Sequence, residues 1–258
     1  MTLQPETRIW KYMDVGRFLS LLTSRSLYFA CPNQFEDPYE GWLPRSHHLA
    51  LSQINRNVLD SYRAFKAQLI ARGVPENAFD AQIEDMRQKL RIAWKETIYK
   101  FGVSCWHESD HESEAMWKLY SAKGQGIAIE STVERLRAAL QLESKPIIDR
   151  VRYADFENDP VEKGHVHYGL FLKRKSFSHE REIRATILLQ APGHGVSVSC
   201  DLKTLVTVIH VSPLERPFLQ DAIQTLCAQG IGSVDVQVKR SALFDAPPEN
   251  WPDPGPLL

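Results

Sequence analysis

Along this chain the spacing of hydrophobic and polar positions changes period several times, and each change predicts a new element. Arg8–Tyr12 alternates as a short strand, and Val15–Leu22 reads as an amphipathic helix with Phe18, Leu19 and Leu22 inward. Ser26–Ala30 is a second short, buried strand. From Asn33 to Gly41 the chain is loop-like, punctuated by Asp37-Pro38 and Gly41. Residues 49–72 then carry Leu51, Ile54, Val58, Tyr62, Phe65 and Leu69 at three- and four-residue steps. Residues 78–100 repeat the pattern with Ile83, Met86, Leu90, Ala93 and Ile98. Gly73 and Pro75 separate the two runs, one suited to ending a helix and the other blocking its extension. The spacing thus predicts a helical hairpin over about 49–100, inserted in or resting on the main sheet.

Beyond Phe101 short elements return. Phe101–Trp106 and Gly126–Glu130 read as strands, with helices over Glu112–Ser121 and Val133–Leu140. The later chain is strand-rich: Ile147–Tyr153, Ile183–Leu189, Val196–Cys200 and Val206–Val211. A helix over Phe218–Gln229 and a strand near Val234–Val238 follow. Runs of strands mixed with runs of helices, without internal repeats, predict an α+β fold rather than regular βαβ winding. One unit over residues 1–246 is expected, with a Pro-rich tail at 247–258.

Composition narrows the function classes. With 43% hydrophobic residues among 258, the chain can bury a sizeable core. A net charge of -1 supports no general electrostatic claim on nucleic acid or membrane. No apolar run approaches the ~20 residues that span a bilayer. The polar start does not read as a signal peptide. Cys31, Cys105, Cys200 and Cys227 are scattered without a CxxC pair and read as free thiols, so a cytoplasmic address is expected. No GxGxxG or Walker-type loop occurs, which disfavours ordinary Rossmann or P-loop nucleotide binding.

Five stretches form an ordered set: Lys11-Tyr12, Phe35-Glu36-Asp37-Pro38-Tyr39-Glu40-Gly41, Ser104-Cys105-Trp106, Met116-Trp117-Lys118-Leu119-Tyr120, and Glu180-Arg181-Glu182-Ile183-Arg184. Together, from about Ile9 to about Ser241, they resemble the bacterial family known as domain of unknown function 2971. More distantly, the order of elements is similar to ADP-ribosyltransferases of the DNA-modifying kind. That resemblance implies a mixed, split β-sheet core that takes NAD as a substrate. It implies a polar residue after the first strand (Lys11 or Tyr12), an aromatic on the second (Tyr28) and a late Glu (Glu182). Lys11 stands where such enzymes carry His or Arg. A nucleobase or a protein side chain would be the acceptor, and phage defence or toxicity would suit the chemistry.

Read as a strand, Glu180, Glu182 and Arg184 share one face while Ile183 points to the core. Two carboxylates and a guanidinium can hold a ribose, and a carboxylate on a ribose hydroxyl stabilises oxocarbenium-like charge more in the transition state than before it. Glu182 is therefore the expected catalytic residue, with Glu180 activating the acceptor. Lys11, Tyr12, Tyr28, Trp117 and Arg184 are the expected cofactor-binding set. The plainer reading is a solvated salt-bridge ladder on an edge strand. Tyr28, Phe29 and the Met116–Tyr120 stripe equally read as core, and the acidic loop as turn-making or pocket-lining. Lys173-Arg174-Lys175 reads as wet surface or phosphate contact, as do Lys89, Arg91 and Lys95. Gly124 and Gly126 frame a turn that hints at phosphate, and His165 and His167 alternate on a possible strand. His107-Glu108-Ser109-Asp110-His111 is a literal HExxH string. It directly follows a strand, and a helix capped near Ser109 or Asp110 would leave His107 outside, so no metal is expected. A non-enzymatic binding module and a zinc hydrolase remain the rival readings.

Overall fold

Asp14 closes the first strand, Arg8–Asp14 (β1), and caps the first helix, Val15–Ser24 (α1). Its carboxylate accepts the Arg17 N–H at 2.8 Å, satisfying one of the unpaired amides of the first turn. Phe18, Leu21 and Leu22 are buried, whereas Leu19, expected inward, is exposed. At about 100° per residue, positions 19 and 21 flank the 18/22 stripe on opposite sides within equal arcs, so helical spacing alone does not choose between them. Arg25 then takes a left-handed φ of 48° and turns the chain into Ser26–Phe29 (β2). The computed structural model describes residues 2–73, 96–121, 125–143, 145–160, 168–191, 193–214, 217–229 and 236–248. Over these residues the protein is α+β, with mainly antiparallel strand pairs, as the patterning predicts.

Where the patterning predicts one unit, the chain divides into two compact ones, each gathered from separate stretches. The first comprises Met1–Gln4, Ser26–Glu108 and Leu140–Ser199. It holds the helix Arg45–Ile70 (α2) and the strand Phe101–Glu108 (β3). Its later strands are Ile147–Arg150 (β5), Arg152–Ala154 (β6), Leu172–Arg174 (β7), Glu182–Leu188 (β8) and Val196–Ser199 (β9). Strand β8 lies between β3 and β5, antiparallel to both, so it is no edge strand. Strands β6 and β7 run parallel, with Tyr153 opposite Lys173, and β2 pairs antiparallel with β9. The expected single strand 147–153 is broken at Val151, whose N–H donates to the Glu182 carbonyl at 2.8 Å. Helix α2 supplies the first half of the expected hairpin, although Phe65 is exposed. Most of the second half lies outside the described residues.

The second unit comprises Pro5–Arg25, Ser109–Ala139 and Cys200–Leu258. Beside β1 it holds Gly126–Thr132 (β4), Val208–Val211 (β10) and Gln237–Arg240 (β11), in the order β11-β10-β4-β1. Its further helices are Glu114–Tyr120 (α3), Val133–Ala139 (α4), Leu202–Leu205 (α5) and Pro217–Ala228 (α6). Asp201 accepts the Lys203 N–H and starts α5, which shortens the strand expected over Val206–Val211. At Gly126 an added Cβ would lie 1.8 Å from Ser121 Oγ, so close packing explains this glycine without a phosphate. Gly124, His165, His167, the basic positions 89, 91 and 95, and most of the Pro-rich tail lie outside the described residues.

Candidate functional site

In the first unit, five charged side chains converge at the start of β8. A short 3-10 helix, Lys175–Glu180, ends at Arg181 with a left-handed φ of 40°, and β8 begins one residue later. Glu180 therefore closes a turn instead of sharing the strand alternation expected of it. It still meets Glu182, because Lys173 Nζ donates to Glu180 Oε2 at 2.5 Å and to Glu182 Oε1 at 3.0 Å. Strand periodicity puts Arg184 on the same face as Glu182, and its Nε donates to Glu182 Oε2 at 2.6 Å. Ile183, on the opposite face, is fully buried in the core.

The rest of the Arg184 guanidinium is fixed by Glu40 and by the Leu170 carbonyl, the latter at 2.7 Å. The Glu182 backbone N–H donates to Tyr153 Oη at 2.8 Å, and its carbonyl accepts from Val151. All four polar positions of Glu182 are thus held by named partners. Such redundancy fixes a side chain far more narrowly than one contact does.

The electrostatics follow from counting charges. Lys173 and Arg184 carry two positive charges, while Glu182 and Glu40 carry two negative, so the cluster is neutral only when Glu180 keeps its proton. Burial, together with the hydrogen bond and charge of Glu182, pushes the Glu180 carboxyl up to about 7. Burial works against the Glu182 carboxylate too. There the charge of Arg184, the hydrogen bond with Glu180 and Lys173 outweigh it and hold the group well below the usual range. For Lys173 the same contest ends with its affinity for a proton raised. Below about pH 7 the proton thus resides on Glu180 while Glu182 stays ionised.

The acidic loop is built into this cluster. Asp37 makes an Asx-type turn by accepting the Tyr39 N–H at 3.0 Å, and its Oδ1 also takes Arg174 Nη2 at 2.8 Å. Glu40 reaches Arg184, and Gly41 closes the loop at a φ of 75°, which favours glycine. The reading of Lys173-Arg174-Lys175 as wet surface therefore fails for Lys173, which is 7% exposed. Lys173, Glu40 and Tyr153 belong to the site but not to the expected site residues. Glu40 lies in the acidic stretch Phe35–Gly41. Lys173 had only its place in a basic run, and Tyr153 had no signal at all.

The remaining candidates separate between the units. Tyr28 belongs to the first unit, is 48% exposed, and donates its hydroxyl to Gln34 Oε1 at 2.9 Å. Lys11, Tyr12 and Trp117 belong to the second unit. There Tyr12 and Trp117 pack with Trp10, Met116 and Ala128 as core, ring edge to ring face at 5.0 Å for the Tyr12–Trp117 pair. Tyr12 Oη accepts the Ser113 N–H at 2.9 Å, and Trp117 Nε1 donates to Glu112 at 3.1 Å. Lys11, half-buried on β1, stands opposite Ile129.

The HExxH string does not lie on one helix. His107 and Glu108 end strand β3, and the following helix is capped by Ser113 rather than Ser109 or Asp110. Glu108 is clamped by Arg150 at 2.7 and 2.8 Å, and His107 Nδ1 lies 2.6 Å from the Glu180 carbonyl. This geometry does not set two imidazoles around a metal. Comparison of the chain with protein-family models, with curated proteins and with solved structures returns no match.

Proposed function

We infer that this protein is an NAD-consuming enzyme, an ADP-ribosyltransferase or an NAD glycohydrolase. The observation that carries the reading is the division of labour between Glu180 and Glu182 across one lysine. Two neighbouring carboxylates whose proton affinities are driven apart suit an acid–base group beside a permanent anion. The order of elements, with its distant resemblance to the DNA-modifying ADP-ribosyltransferases, supports the same reading.

In this mechanism the nicotinamide–ribose C–N bond breaks with its electron pair leaving on nicotinamide. The ionised Glu182, held by Lys173 and Arg184, stabilises the oxocarbenium character that develops on the ribose. Water or an acceptor group then bonds to C1′, and its proton passes to the deprotonated Glu180. Turnover should rise as pH passes through about 7, where Glu180 loses its proton.

Purified protein incubated with NAD tests this by released nicotinamide. Wild type is expected to release it, Glu182→Gln to abolish release, and Glu180→Gln to remove the limb near pH 7. Absence of release from folded wild type across pH 6–9 would overturn the reading. It would favour a non-enzymatic binding module, for which one observation speaks: both Glu182 oxygens already have partners.

A further inference from the structure

The residues next to the buried cluster present a surface of different character. Tyr39 directly precedes Glu40, which anchors Arg184, and Arg174 directly follows Lys173, which bridges the two carboxylates. These two neighbours meet each other: the Arg174 guanidinium carbon lies 4.5 Å from the Tyr39 ring centre and 5.3 Å from that of Phe177. Tyr39 is nevertheless 43% exposed, and the Arg174 side chain is 35% exposed. Asp37 holds the guanidinium from one side at 2.8 Å, and Phe156 meets the Tyr39 ring edge-on at 5.8 Å. The pair is therefore pre-set in orientation while keeping open surface, beside the groups that would carry the chemistry.

Planar cationic and aromatic surfaces of this kind accept flat π-systems irrespective of sequence, since every nucleobase offers a face for stacking. We propose that the Tyr39–Arg174 pair is a stacking platform for a nucleobase of the substrate. The inference rests on the reading of this unit as an NAD-consuming site and names how that site grips its nucleotide. The base belongs either to the dinucleotide or to a nucleic-acid acceptor, and the shared chemistry is the stacked ring.

Calorimetric titration of the full chain with AMP and with a short single-stranded oligonucleotide separates the two sources. Tyr39→Ala is expected to weaken the binding of one of them about tenfold or more, while Tyr39→Phe, which keeps the ring, binds like wild type. Loss for AMP assigns the base to the dinucleotide; loss for the oligonucleotide alone assigns it to the acceptor. Should Tyr39→Ala fail to fold, Arg174→Lys, which keeps the charge but not the plane, is expected to weaken the same probe. The proposal is overturned if wild type binds neither probe at about millimolar concentration, if Tyr39→Ala binds both unchanged, or if Tyr39→Phe loses as much as Tyr39→Ala. Nicotinamide release is measured in parallel. Tyr39-dependent binding without release would sink the enzymatic reading and keep the platform. Release with binding indifferent to Tyr39 would do the reverse.

Discussion

Arg184 and Trp117 are both among the largest fully buried side chains, at 0% and 1% exposed, and they belong to different units. Around Arg184 the interior is ionic: Glu40, Glu182, Lys173 and Glu180 saturate one another through directed contacts. Around Trp117 it is aromatic: Trp10, Tyr12, Met116 and Ala128 pack by shape, with single hydrogen bonds at the ring edges. An ionic interior depends on every member, because removing one leaves an uncompensated charge in a medium that solvates it poorly. An aromatic interior depends on volume and tolerates a near-isosteric change. Long burial of a motif residue therefore says little about its role until its partners are known.

The largest expected effect probes that dependence directly. Arg184→Met strips Glu40 and Glu182 of their shared partner and should cost about 3–5 kcal/mol in urea unfolding. A loss under ~1 kcal/mol would show that the ionic cluster is dispensable to the fold.

Next comes the proton balance, in which Glu180 of the first unit and His210 of the second differ in sign. Glu180, raised from the ordinary 4.5 to about 7, contributes stability that is fully present below pH 4.5 and is lost as pH rises through 7. Glu182, depressed, contributes stability that is present above 4.5 and lost on acidification. The melting temperature should thus fall between pH 5.5 and 8.5, by the equivalent of roughly 2 kcal/mol, and Glu180→Gln should flatten that slope. In the second unit His210 lies 3.3 Å from Glu130 and 3.7 Å from Glu112, with Arg8 on Glu130 and Lys239 nearby. Burial keeps its imidazole below the ordinary 6.5 despite both carboxylates, so its stability is lost as pH falls below 6.5. His210→Gln should relieve acid sensitivity and leave the alkaline slope untouched.

Smaller effects sharpen the aromatic side. Trp117→Phe removes part of the ring and the bond to Glu112 and should cost about 1–2 kcal/mol by the same unfolding assay. A loss equal to that of Arg184→Met would erase the contrast between the clusters. Ser113→Ala removes the cap that accepts the Met116 N–H at 3.4 Å, and should cost about 0.5–1 kcal/mol.

Much of the fold was legible because local periodicity encodes it. The strands at Arg8–Asp14, Ser26–Phe29, Phe101–Glu108 and Gly126–Thr132, and the helix following Pro217, fall where alternation and helical spacing put them. Where prediction slipped, a specific contact intervened. Asp201 nucleated a short helix, Val151 turned its amide to Glu182, and Arg181 took a left-handed conformation that moved Glu180 off the strand. The candidate site was legible in part. Glu180, Glu182 and Arg184 were visible as a charged run, whereas Lys173 looked like any surface lysine and Tyr153 like an ordinary strand aromatic.

Sequence alone determined the α+β character, the order of most elements and the charged run that opens β8, since these follow from the spacing of apolar residues and from propensity within a few turns of chain. The tertiary structure decided which charges face each other: Glu40 with Arg184 across 144 positions, Asp37 with Arg174 across 137, and one lysine between two carboxylates. It likewise decided that the Glu180 carboxyl is pushed up to about 7 while that of Glu182 is held low. Coulomb interactions and desolvation depend on distance and burial in space, and neither is encoded in the separation of residues along the chain.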